Sequence, residues 1–167
     1  MKGGFQMSYD ATEYNDAILD LFLALFLLIL LVFALAGYIF NALIYYKASE
    51  KNGFSDMAYI AWIPIINIYS LFLLTAKGDD DKAVRAAALK PTLIFTGLLL
   101  FLFLIPLIGF ISLPIMFGLW IYYSYRLLYR WSGDTGKAVL YTVLSLITGG
   151  IFHAIYGLMH MNQPFKA

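Results

Sequence analysis

The chain contains no cysteine, which removes disulfides, thiolate metal sites and a cysteine nucleophile at once. Compartment stays open, because a chain folded in a bilayer needs no covalent staple. Charge is scarce as well: 13% of the 167 residues are Asp, Glu, Lys or Arg, against about 25% in soluble domains. With 62% hydrophobic residues and a mean hydropathy of +0.81, a water-soluble fold could not cover its own surface. The formal net charge of +1 gives no strong field for nucleic acid or an acidic protein. Histidine occurs only as His153 and His160. Seven residues apart, they are too distant for one metal ion to bridge, and no Asp or Glu lies between them as a third ligand. No cofactor motif is present.

What remains is a set of apolar segments that organise a single membrane domain. Residues 1–16 form a polar, acidic tail with Asp10, Glu13 and Asp16. Residues 17–46 are an apolar run interrupted only by Asp20 and Asn41, longer as a helix than a hydrocarbon core of about 30 Å. Leu21 to Phe33 followed by Ala34-Leu35-Ala36 imitates a secretory signal. The acidic residues ahead of it and the apolar continuation to Tyr46 favour a retained transmembrane helix. Residues 57–76 are apolar but contain Pro64, which removes a backbone donor and crowds the preceding turn. Broken backbone at membrane depth is tolerated only where protein or water satisfies it, so this segment is expected to be re-entrant, with a kinked span as the alternative. Residues 77–90 read as a short amphipathic loop helix capped by Asp79, Asp80 or Asp81.

Residues 91–129 are too long for one ordinary span, with Pro106, Gly109 and Pro114 near the centre. They predict a helical hairpin with legs Pro91 to Ile105 and Ile115 to Tyr129. Residues 138–161 predict a final transmembrane helix. In it Gly150, Ala154 and Gly157 form a small-residue face suited to close helix packing. The expected fold is therefore an all-α polytopic bundle of about four transmembrane helices plus the Pro64 segment. Tyrosines and tryptophans gather where the apolar runs end, as in an interfacial aromatic belt.

Nine of the eleven Lys and Arg residues fall in three loops, around Lys47 and Lys51, Lys77 to Lys90, and Arg126 to Lys137. Basic loops favour the cytoplasm. Placing all three inside requires both 57–76 and 91–125 to return to the side they start from. A rival arrangement, with 57–76 as a true span and the tail inside, accommodates the charges almost as well; Pro64 decides for the first.

Two motifs invite chemistry and fail on inspection. Ser132-Gly133-Asp134-Thr135-Gly136-Lys137-Ala138 lacks the first glycine of a phosphate loop and the hydroxyl after its lysine. As an Asp-Thr-Gly motif it is a single copy in a loop between helices, so a turn with a helix cap is expected. Asn67 and His153 are the candidate functional polar positions, since ionisable and amide groups within apolar segments are rarely idle. For His153 an interhelical hydrogen bond is the simpler expectation. No other acidic side chain than Asp20 is available within the apolar runs, which weighs against an ion-coupled transporter.

Trp62-Ile63-Pro64-Ile65-Ile66-Asn67-Ile68-Tyr69 and Leu144-Ser145-Leu146-Ile147-Thr148-Gly149-Gly150-Ile151 resemble segments of small bacterial multi-pass membrane domains of unknown function. The resemblance implies a plasma-membrane protein and no particular activity. The expected partners are the lipid bilayer and another membrane protein or a second copy, with no nucleic acid. The expected role is a non-catalytic accessory subunit, assembly or immunity-type factor, and the alternative is a small oligomeric channel or transporter.

Overall fold

A computed structural model describes residues 11–167; most of the expected tail over 1–16 lies outside the described residues. The chain is all-α. Seven α-helices and one 3-10 helix follow in order: α1 (Ala11–Lys51), the 3-10 helix (Ser55–Trp62), α2 (Ile68–Thr75), α3 (Asp81–Leu104), α4 (Pro106–Gly109), α5 (Ser112–Ser132), α6 (Thr135–Ile147) and α7 (Ile151–His160). Among the described residues three helices are long and apolar enough to cross a membrane: Tyr14–Lys51 within α1, Asp81–Leu104 (α3), and Leu107–Ser132, which takes in part of α4 with α5. At 1.5 Å per residue the 41, 24 and 21 residues of α1, α3 and α5 give lengths of about 62, 36 and 32 Å.

The chain divides into two units, one ending at Tyr38 and the other running from Ile39 to Ala167. In the first, every residue from Tyr14 to Leu35 is exposed, and the sequence is apolar on all faces of the helix. Such a helix belongs in hydrocarbon, where no polar face is needed. The α1 helix stops at Gly53, whose φ of +91° suits glycine alone, and Asn52 Nδ2 donates to the Ala48 carbonyl at 2.8 Å.

In the second unit the core is built around α2. Leu71, Phe72, Leu73 and Leu74 are all buried, so this helix has no solvent face. Around it lie Ile44 and Ala48 of α1, Ala88 of α3 and Leu127, Leu128 and Trp131 of α5. The Phe72 ring meets Tyr123 edge-on at 4.4 Å and Phe95 at 6.2 Å, geometries worth about 0.5–1.5 kcal/mol each beyond area burial.

The α2 helix and the 3-10 helix before it are joined by a sharp bend over residues 63–67. Ile63 is extended, as a residue preceding proline must be. Ile65, two residues on, has a φ of +69°, a strain of about 1–3 kcal/mol for a β-branched side chain. Both ends of this segment lie at one level. Asp56 pairs with Arg85 in the first turns of α3 at 2.8 Å, while the Leu74 carbonyl is held by Arg130 near the end of α5 at 2.7 Å.

The α3 helix begins with Asp80 as N-cap, its carboxylate accepting from Ala83 N. It then runs without interruption through Pro91. The amphipathic helix expected over 77–90 is therefore not separate from the hairpin leg after it. Pro91 has no N–H to offer the Ala87 carbonyl four residues back, and the helix continues past it; Thr92 Oγ1 donates to the Ala88 carbonyl at 2.8 Å. The hairpin turn is made by α4. A Cβ at Gly109 would stand 2.5 Å from Leu102 Cα and 2.8 Å from the Phe101 carbonyl, so only glycine fits there.

The final segment departs from expectation. Instead of one helix over 138–161 there are two, broken where Gly149 and Gly150 take φ values of +60° and +90°. They run antiparallel: Tyr141 packs on Phe152 at 5.4 Å and Tyr156 at 4.7 Å, and Tyr156 reaches back to Trp131 at 6.3 Å. Their 13 and 10 residues extend about 20 and 15 Å, and neither crosses a bilayer. The chain returns to its starting level, with Lys166 N donating to the Arg130 carbonyl and Phe165 N to Asn52 Oδ1, both at 2.8 Å.

Candidate functional site

The corners of the second unit thus meet at one end: residues 52–56, 74–78, 84–85, 126–135 and 165–167. Between them lies a cleft of about 600 Å³ lined by Lys77 and Gly78 after α2, Val84 of α3, a face of α5, and Thr135 at the start of α6. Tyr122, Tyr125, Arg126, Tyr129 and Arg130 recur at three- and four-residue spacings along α5, which places all five on one stripe. That stripe ends at Gly133, with φ of +70°, and the next helix opens with Asp134 accepting from Lys137 N at 2.7 Å. The turn and cap expected for the Ser132 to Ala138 motif are both in place.

Three cations line the cleft, and no carboxylate side chain does. Arg130 is committed to architecture. Its Nη1 donates to the Leu74 carbonyl in the last turn of α2, its Nε to Ala167 O at 3.2 Å, and its guanidinium stacks 4.7 Å from the Phe165 ring centre. A cation at a helix C-terminus satisfies carbonyls that have no helical partner. Arg126, half-buried, lies 5.8 and 6.0 Å from the Tyr122 and Tyr123 rings. The ion pairs among the described residues are Lys47–Glu50 and Arg85–Asp56, so neither Arg126 nor Lys77 is paired with a carboxylate. Outside the cleft, the Arg85 guanidinium holds the Asp56 carboxyl below its ordinary 3.8.

The candidates singled out in the sequence are spread over separate places. Asn67 stands half-buried at the start of α2 and makes no side-chain cap there. His153 is buried in α7 with its ring centre 6.2 Å from that of Trp120. The interhelical hydrogen bond expected for it is not made: both ring nitrogens lack a partner. His160 instead stacks on Tyr156 at 4.0 Å and contacts its carbonyl through Nδ1 at 2.8 Å. Of the small-residue face, Gly157 does pack closely, with its Cβ position 2.8 Å from Ile44 Cδ1. Gly150 does not, because it forms the break before α7 and its Cβ position meets nothing within 4 Å; Ala154 is half-buried.

Sequence reasoning recorded the tyrosines and arginines of α5 as belt and loop residues but missed the cleft. The stripe was legible; Lys77, contributed from the far end of α2, was not. No family model, curated protein or solved structure matches the chain.

Proposed function

We propose that this chain is a non-catalytic plasma-membrane protein that works by packing against another membrane protein, as an accessory subunit or assembly factor. Its basic loops face the cytoplasm, and the two short hairpins, 55–75 and 135–160, enter the bilayer from that side and return. The observation that carries the packing role is a pair of open notches on the long helices. A Cβ at Gly37 of α1 or Gly97 of α3 would meet nothing within 4 Å. Glycine inside a helix costs about 1 kcal/mol relative to alanine, and no described atom outside the glycine's own stretch of helix stands within 4 Å of either Cβ position. Close approach of a helix from another molecule uses that space.

The test is mild extraction from the native membrane followed by native mass spectrometry. The expected result is a second polypeptide at fixed stoichiometry, lost in Gly97→Leu while the variant stays folded. A monomer in several lipids, unchanged by Gly97→Leu, would defeat the proposal. A homo-oligomer would move the weight to a channel or transporter. That second reading draws on the two broken hairpins, whose half-helices start at Asn67 and Gly150 in the manner of re-entrant elements that line solute paths.

A further inference from the structure

The basic cleft is not isolated. Tyr122 and Tyr125, which form part of its wall, also line a second, apolar groove of about 450 Å³ between α5 and α6. The groove is bounded on α5 by Gly118 and Ile121 and on α6 by Val139, Thr142, Val143 and Leu146. Thr135, at the cleft, is followed along α6 by residues 139, 142, 143 and 146 on the same helical face, so the groove leads away from the cleft along the helix. Gly118 contributes no side chain, and a Cβ there would meet nothing within 4 Å. A polar pocket with two cations in no ion pair therefore opens into an apolar channel at the level where tyrosines mark the headgroup region.

We propose that this composite site binds one anionic phospholipid, its phosphate against Arg126 and Lys77 and one acyl chain in the groove between α5 and α6. Arg126 and Arg130, four residues apart, repel each other on one helix face, and a half-buried guanidinium without a counter-ion is costly unless an anion joins it. Tyr122, Tyr125 and Tyr129 supply hydroxyl donors and amphipathic ring edges suited to a phosphodiester. Inorganic phosphate shares the headgroup chemistry but has nothing to place in the groove. A partner helix would fill the groove and leave the cations without a counter-ion.

The experiment is native mass spectrometry of the full chain in detergent, titrated with phosphatidylglycerol and with phosphatidylcholine of identical acyl chains. Wild type is expected to retain one phosphatidylglycerol in preference to phosphatidylcholine. Lys77→Gln with Arg126→Gln is expected to weaken that binding by roughly tenfold or more, the scale of lost charge-assisted hydrogen bonds. Lys137→Gln, a charge outside the cleft, leaves it unchanged. Gly118→Leu fills the groove and weakens lipid binding without altering inorganic phosphate binding. Near-UV circular dichroism of each variant separates lost binding from lost fold. Equal retention of the two lipids, or unchanged affinity in the folded double variant, would overturn the proposal. So would competition by inorganic phosphate together with no effect of Gly118→Leu, which would assign the cleft to a soluble anion. None of these outcomes bears on whether a partner protein co-purifies.

Discussion

Replacing Gly157 by alanine probes the closest approach between α1 and α7. The new Cβ would sit 2.8 Å from Ile44 Cδ1, 3.1 Å from Cγ2 and 3.3 Å from Cγ1, all inside the roughly 3.5–4.0 Å optimum for carbon pairs. Ile44 is fully buried and cannot swing away. Overpacking of this kind costs about 1–3 kcal/mol, offset by about 1 kcal/mol of helix propensity gained over glycine. A net loss of about 1 kcal/mol is expected. Ile44→Val removes Cδ1, the nearest atom, at a cost of about 0.5–1.5 kcal/mol alone. The double variant should then be more stable than the two single losses added, by about 1 kcal/mol, the remaining Cγ contacts limiting the relief. Equilibrium unfolding in mixed micelles, followed by the fluorescence of buried Trp131, measures the cycle. Additivity within about 0.5 kcal/mol would show that the two positions are not in contact and would refute the packing described for α7.

Other substitutions test other joints. Gly109→Ala drives a Cβ into backbone atoms of α3 that cannot yield, so a loss above about 2 kcal/mol is expected. Gly97→Ala, in open space, should be neutral or stabilising by up to about 1 kcal/mol; thermal melts of the two variants side by side make the comparison. Ile65→Gly relieves the left-handed backbone and should raise stability by about 1 kcal/mol in denaturant titration. Asp56→Asn removes a carboxylate whose folded pKa is lowered by Arg85. The stability that the pair contributes is present above the ordinary 3.8 and lost as pH falls through the folded value. The difference between wild type and variant should therefore be constant from about pH 5 to 8 and shrink as pH falls below the ordinary 3.8 and through the folded value; a difference that does not shrink in acid would contradict the pairing.

The sequence made some of this legible because single residues forced it. Pro64 required a break, and the chain bends at Ile63 to Asn67. The cluster of Pro106, Gly109 and Pro114 required a turn, and α4 is there. Asp80 and Asp134 announced their caps. Two features went unread for a common reason: local signals were weighed without their tertiary partners. Pro91 suggested a helix end, yet α3 continues through it. Gly150 was taken with Ala154 and Gly157 as one packing face, whereas Gly149 and Gly150, two consecutive left-handed glycines, turn the chain through a hairpin. That hairpin brings Lys166 back to Arg130 and, with Lys77 arriving from the end of α2, assembles a cleft that no contiguous motif encodes.

The central claim is that both short hairpins return to the side from which they start. Because the chain has no cysteine, single cysteines can be placed at the exposed positions Lys51, Asp79, Lys137 and Asn162 and tested with a membrane-impermeant maleimide in intact cells and in permeabilised ones. All four sites should resist labelling in intact cells and react only after permeabilisation, which puts both ends of each hairpin on the cytoplasmic side. Labelling of Asn162→Cys from outside while Lys137→Cys stays protected would mean that 138–161 crosses the membrane after all, and would contradict the account.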